Sequence, residues 1–174
     1  MEPMPQPFDR AWLSAQEQGI WRLLLVLIAQ LPSDLNRQLQ VDSGLSFQDF
    51  DVLVHLQEAP GGRLRLVELA EALAWERSRV SHHATRMEGR GLVRRERVQG
   101  DGRGAWVVAT PQGLDELDAA AEGHIATVKR LVFHGLDERD VSDLQRVLTR
   151  LAENMGQQPP TSWHPVDADP EGVR

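Results

Sequence analysis

The sequence predicts a mainly α fold with a small β-wing: a winged helix-turn-helix flanked by N- and C-terminal dimerisation helices. Three observations lead there. Residues 64–110 read as a short helix, a tight turn, a second helix, a basic strand, a Gly-rich tip and a return strand. Residues 63–103 hold ten arginines (63, 65, 77, 79, 86, 90, 94, 95, 97 and 103) against six acids, a local +4. The whole chain carries −7, so the remainder sums to −11. A basic island in an acidic protein is the footprint of a local anion-binding face, and it argues against a surface that coats nucleic acid everywhere. Third, apolar helical patterns precede and follow the island, more than a winged domain needs for its own core.

The 174 residues suffice for one good core, or for one domain with a dimerisation extension, and 41% hydrophobic with 26% charged residues is a soluble globular composition. There is no cysteine, which excludes disulfides, thiolate zinc sites and thiol redox sensing. The start, MEPMPQPFDR, is no signal peptide, and the apolar run from Trp21 to Leu31 is too short and too polar to span a bilayer. A cytoplasmic protein without membrane contact is expected.

Element by element, the Pro-rich residues 1–8 are expected to be disordered, and residues 9–45 to form the N-terminal dimerisation region. Its helix runs from about Asp9 toward Gln40, with a break or kink near Pro32. Trp21, Leu24, Leu25 and Ile28 share one face. The winged domain occupies 46–110. Ser46 with Asp49 resembles a capping box for a helix carried by Phe47, Phe50, Val54 and Leu56, ended by Ala59-Pro60-Gly61-Gly62. Leu64–Leu66 suits a short strand and Val67–Leu73 a helix. Ala74-Trp75-Glu76 makes the turn, with Trp75 as a plug between helices. The next helix is Arg77–Arg90, closed by Gly91 at C′. Leu92–Val98 and Ala105–Ala109 pair as the wing strands around the tip 99–104.

Thr110 and Pro111, as N-cap and first helical residue, restart helix for the C-terminal dimerisation region 111–155. Leu114, Leu117, Ala121, Ile125, Val128 and Val132 fall on one face, and Gly135 ends that helix. Asp137 caps the last helix, where Val141, Leu144, Leu148, Leu151 and Met155 form a heptad-type seam. Residues 156–174, Pro-rich and acidic, are expected to be a disordered tail.

On the Arg77–Arg90 helix, Val80, Ala84, Met87 and Gly91 point to the core. Ser78, Ser81, His82, Thr85 and Arg86 point away, with Arg79 and Arg90 on a flank. Small hydroxyl residues permit close approach to base edges, and arginine can bind guanine with two donors. Ser78, Ser81, His82 and Arg86 are therefore expected to contact bases, and Arg77, Arg79 and Thr85 mostly phosphates. Arg90 is read instead as an intradomain ion pair, with Glu68, Glu71 or Glu88 as partner. In the wing, Arg103 is expected in the minor groove, with Asp101 bracing it or a residue of a partner chain. Arg94, Arg95 and Arg97 alternate along a strand, so Arg95 and Arg97 share a face as phosphate or structural contacts.

His82 and His83 point about 100° apart on a helix and chelate poorly, and His55, His124 and His134 show no metal-ligand spacing. Neither a metal nor a cofactor is expected. No catalytic motif appears, and the Gly-x-Gly at 102–104 sits on a hairpin rather than a strand-to-helix turn. A non-enzymatic protein is expected.

Leu69-Ala70 with Leu73, SRVSHHATRMEGRGLVRR, DGRG and Thr110-Pro-Gln-Gly together closely resemble the MarR (multiple antibiotic resistance regulator) transcription factors, over about residues 15–155. Val67 and Glu76 depart from the Ser or Thr caps common there. The resemblance implies a homodimer that binds double-stranded DNA at a pseudo-palindrome through Arg77–Arg90 and a wing arginine, Arg103. It also implies repression, often relieved by a small aromatic or anionic effector. The implied ligand pocket would draw on Trp12, Trp21, His55, Arg65 and His124, although core tryptophans and surface histidines are the simpler reading of these residues. The alternative function is a winged module that docks a protein through its acidic helices and binds no specific DNA.

Overall fold

The computed structural model describes residues 13–97 and 104–156. The elements follow in the order α1 (Ala15–Asp42), α2 (Phe47–Glu58), β1 (Arg63–Arg65), α3 (Leu66–Ala72), α4 (Arg77–Gly89), β2 (Val93–Arg97), β3 (Ala105–Ala109), α5 (Pro111–Val128) and α6 (Glu138–Asn154). The three strands form one antiparallel sheet in the order β1-β3-β2, with Leu64 opposite Val107 and Val107 opposite Arg95. This is the winged helix-turn-helix pattern that the sequence predicts. The expectations for residues 1–8 and 157–174 lie outside the described residues.

Local chemistry sets the boundaries. Ser14, not Asp9, opens α1: its hydroxyl accepts from the Glu17 amide and the Glu17 carboxylate accepts from the Ser14 amide, a reciprocal cap. The expected break at Pro32 does not occur. Helix runs through it, because one missing amide donor is outweighed by long helical runs on either side. Ser46 and Asp49 cap α2 as expected, at 3.0 and 2.9 Å. A 3₁₀ turn at Pro60–Gly62, with Gly61 at φ +73°, turns the chain into β1. Between α3 and α4, Ala74 takes the left-handed conformation (φ +50°) and the Trp75 amide closes onto Ala70 O at 2.9 Å.

The core lies between α2, α3, α4 and the inner sheet face. Leu39, Leu45, Leu53, Leu56, Leu69, Met87, Leu92 and Val107 are fully enclosed there. Only the C-terminal half of α1 reaches it, through Leu35 and Leu39. The expected face of α1 is outside: Trp21, Leu25 and Ile28 are exposed and Leu24 is half-buried. On α5 the line buried within this chain shares only Leu117 with the apolar face read from the sequence. Gly113, Leu117, Ala120, His124 and Thr127 are buried, whereas Leu114, Ala121, Ile125 and Val128 are half-exposed. Gly113 and Ala120 allow the close approach, and Leu117 and His124 fill the space between them. A π turn at Lys129–Phe133 follows α5 before Gly135.

The chain divides into two compact units at the Leu131–Val132 bond. The first contains the winged domain with α1 and α5. The second contains α6, capped by Asp137. Of its expected seam, Val141, Leu148, Leu151 and Met155 are exposed and Leu144 is half-buried.

The Thr110-Pro-Gln-Gly restart clamps the end of α4 to the start of α5. Thr110 Oγ1 donates to Gly91 O at 2.5 Å, with Leu92 O 3.1 Å away, and accepts from the Gly113 amide at 3.0 Å. Gln112 Nε2 donates to Arg90 O at 3.3 Å, satisfying a carbonyl at the C-terminal end of α4. A β-carbon on Gly113 would collide with the Leu92 carbonyl oxygen and stand 3.1 Å from Leu53 Cδ2. Gly113→Ala should therefore destabilise the fold by about 3 kcal/mol, roughly 6–12 °C in Tm. Gly123→Ala, whose β-carbon would meet only the side-chain ends of Asp42 and Gln38, should cost far less. Thermal melts of the two variants check this ranking; equal melts would show that the clamp tolerates a displaced α5.

Candidate nucleic-acid interface

Helix α4 forms where Val80, Ala84 and Met87 recur at helical spacing and bury themselves. His83, on the same side, is buried with them. The opposite side is presented outward. Arg77, Ser78, Arg79, His82, Thr85 and Arg86 are exposed and Ser81 is half-buried. All seven expected recognition residues thus share the outward part of one helix. Thr85 Oγ1 donates to Ser81 O at 2.9 Å, which leaves the lone pairs of its oxygen as acceptors. The Arg79 guanidinium sits over the Trp75 ring, 4.1 Å from its centroid. Trp75 itself is half-buried against the core, as a plug in the turn should be.

The helix begins at Glu76, whose side chain makes no cap hydrogen bond. The first amides of α4 therefore keep their outward donor capacity, and the helix dipole adds positive potential there. A cavity of about 490 Å³ opens beside them, lined by Arg65, Leu66, Val67, Arg77, Ser78, Ser81, Gly104 and Ala105. Basic side chains, hydroxyls and a helix N-terminus around one opening make a seat for a phosphate. At the other departure from the usual caps, the Glu68 carboxylate accepts from the Arg65 amide at 2.8 Å and starts α3 in place of a Ser or Thr.

In the wing, Arg97 is exposed on β2. Arg95 is engaged within the domain: its amide and its Nε donate to the Glu88 carboxylate at 3.0 and 2.8 Å. Asp101 and Arg103 lie outside the described residues. Arg94 pairs with Glu96 at 2.8 Å. Arg63 and Arg65 sit over Trp106, 4.8 and 5.3 Å from its ring centroid.

Beneath α4 is a polar knot that the sequence reading missed. Asp49, 4% exposed, receives Arg90 Nη1 at 2.7 Å and the Ser46 amide at 2.9 Å on Oδ2. His83 Nε2 lies 3.0 Å from Oδ1, off the line of an aligned hydrogen bond. Arg90 Nη2 also donates to Gly44 O at 3.1 Å. Arg90 is thus an intradomain ion pair as expected, but its partner is Asp49 on α2 rather than Glu68, Glu71 or Glu88. Burial alone would raise the Asp49 pKa; contacts from His83, Ser46 and Arg90 outweigh it and hold the carboxyl well below its ordinary 3.8.

The effector candidates are scattered. Trp21 is exposed, and Trp12 lies outside the described residues. Half-buried His55 reaches Asp51 O at 2.8 Å; hydrogen bonding to Asp51 raises its pKa against the opposing effect of burial. His124 is not a surface residue: it is 8% exposed, stacks on Phe50 with centroids 4.4 Å apart, and burial pushes its pKa down. Among the described residues no group of three potential metal ligands comes together, and no helix is long and apolar enough to cross a membrane.

Comparison with known proteins places these features in a family context. A sequence profile of the MarR family matches residues 43–104. AbsC, a MarR family transcriptional regulator from Streptomyces coelicolor, is 38% identical over 85% of this chain and 100% of its own, with a TM-score of 0.78. Sco3205, a MarR family regulator from the same organism solved in complex with DNA, is 36% identical over 90% of this chain and 97% of its own, with a TM-score of 0.79. CouR from Rhodococcus jostii RHA1, solved bound to p-coumaroyl-CoA, shares the fold at 23% identity over 87% of this chain and 100% of its own, with a TM-score of 0.67. No curated protein sequence matches.

Asp49→Ala should remove the ion pair and half of the α2 cap, costing roughly 2–3 kcal/mol at neutral pH. The sign with pH follows from the lowered folded-state pKa. The unfolded carboxyl takes up its proton first as pH falls below about 4, so the stabilisation is complete above that range and is lost in acid. Urea titrations of both proteins should show the gap between them narrowing as pH drops below 4. A gap that stays constant would mean that Asp49 is not held ionised by these partners.

Proposed function

The chain belongs to the MarR family of transcriptional regulators, and from that premise we propose that it is a homodimeric, sequence-specific DNA-binding repressor of the cytoplasm. The observation that carries this reading is the outward face of α4. Serines, a histidine, a threonine and an arginine project together from a helix whose other side is locked into the core. Such a helix fits the major groove, with Ser78, Ser81, His82 and Arg86 toward base edges and Arg77, Arg79 and Thr85 toward phosphates. Arg97 and, from the sequence reading, Arg103 complete the basic contact. Arg95, held by Glu88, contributes charge at the edge of that surface.

Dimerisation accounts for apolar surface that each unit leaves uncovered. In the first unit, Ile20, Trp21, Leu23, Leu25, Val26, Leu27 and Ile28 are exposed along α1. In the second, Val141, Val147, Leu148, Leu151 and Met155 are exposed on α6. Surfaces of this kind on a soluble chain mark an interface, and a second copy would carry the matching one. Two copies also present two recognition helices to the two halves of a pseudo-palindrome. CouR, bound to p-coumaroyl-CoA, supports a small aromatic or anionic effector as the signal that releases this regulator. The residues that would hold it are not assigned.

The test is selection of bound fragments from the source genome by the purified protein at two salt concentrations. A shared inverted repeat, with half-site centres about one helical turn apart and retained at the higher salt, is the expected result. Sequence-blind binding that vanishes with salt, or none, would favour the protein-docking alternative. On the selected site, Arg103→Ala should weaken binding to every sequence alike. Ser81→Ala or His82→Ala should lose operator affinity while keeping affinity for random DNA. Equal losses on both DNAs would overturn the base-contact assignment.

A further inference from the structure

His83 faces away from the groove, yet its ring joins the buried knot to the outward face of α4. Arg86 Nη2 lies 2.8 Å from His83 Nδ1, one helical turn away on the same helix. A guanidinium only donates, so Nδ1 must carry its lone pair. On the other side of the ring, Nε2 lies 3.0 Å from Asp49 Oδ1, off the line of an aligned hydrogen bond. The ring is further fixed by its surroundings: it is 6% exposed, and Trp75 meets it nearly edge-on (87°, centroids 5.3 Å apart). Asp49 is anchored in turn by Arg90 and the Ser46 amide.

We infer that His83 is a positioning residue for DNA recognition: fixed by burial against Trp75, it sets the direction in which the Arg86 guanidinium meets the operator. The inference rests on the reading of Arg86 as a DNA contact. An exposed arginine loses considerable side-chain freedom when it docks on a base. An arginine already tethered at one nitrogen loses less, and its remaining donors still offer the fork that guanine O6 and N7 accept. The tether favours one direction of approach, so it adds base discrimination as well as affinity.

Two conservative variants separate positioning from support of the fold. His83→Asn keeps an acceptor near Nδ1 but gives up the reach to Asp49. His83→Gln keeps a donor toward Asp49 but offers Arg86 no acceptor at the Nδ1 position. Each is combined with Arg86→Ala, and operator affinity is measured against that for a site altered at the Arg86-contacted base pair. Melting curves report stability alongside. Arg86→Ala should weaken wild-type operator binding about tenfold. It should cost nearly as much in the His83→Asn background and less than threefold in His83→Gln, which also loses discrimination at that base pair despite the better-preserved fold. If Arg86→Ala costs tenfold in all three backgrounds, His83 supports the fold only and the positioning role is overturned. If Arg86→Ala leaves wild-type operator affinity unchanged, the Arg86 contact itself is wrong and the inference goes with it.

Discussion

One buried carboxylate organises the DNA-facing half of this protein. Asp49 caps α2 from its own first turn and at the same time receives Arg90 and faces His83 from α4. Removing a carboxylate from water is expensive, and it is tolerable only where charge and hydrogen bonds surround it. That requirement makes the arrangement specific. If α4 rotated or slid along its axis, Arg90 and His83 would leave Asp49 behind in a low-dielectric site. Apolar packing by Val80, Ala84 and Met87 gives α4 its adhesion to the core, but such contacts tolerate small displacements. The ionic knot supplies the register, and register is what a helix needs to place side chains against base edges.

The clamp at the far end of α4 works in the same direction. Thr110 and Gln112 hold the carbonyls of Gly91, Leu92 and Arg90, while Gly113 brings α5 against Leu92. Helix α4 is thus fixed at its C-terminal end by α5 and along its buried side by α2. Its N-terminal end remains open, uncapped by Glu76 and bordered by Arg65 and Arg77. A helix secured in this way leaves its first turn for the ligand. An anionic backbone would complete the capping that the protein omits.

Much of this was legible in the sequence, and the failures have physical causes. The capping box at Ser46-Asp49, the C′ glycine at 91 and the Thr110-Pro111 restart are local signals that tertiary packing had no reason to override. Periodicity placed the outward residues of α4 correctly because one side of that helix is plainly apolar. It passed over His83, whose polar ring disguises a core position, although its spacing of three from Val80 and four from Met87 is a core spacing. The partner of Arg90 was missed because forty-one residues separate it from Asp49, and no local pattern encodes that distance. On α1 and α5 the apolar faces were assigned to dimerisation regions, without a register that says which residues of each helix pack on their own chain. The inner line of α5 consists of Gly113, Leu117, Ala120, His124 and Thr127, and the exposed apolar side chains of α1 are left for other surfaces. Sequence period reports which residues avoid water without reporting what covers them.

If α4, held in register, reads DNA as one of two symmetry-related copies, hydroxyl-radical footprinting of the purified protein on its selected operator will show it. Two protected patches on one face of the duplex are expected, centred about one helical turn apart and equal in strength. A single patch, or protection that follows the protein onto any sequence, would contradict the account.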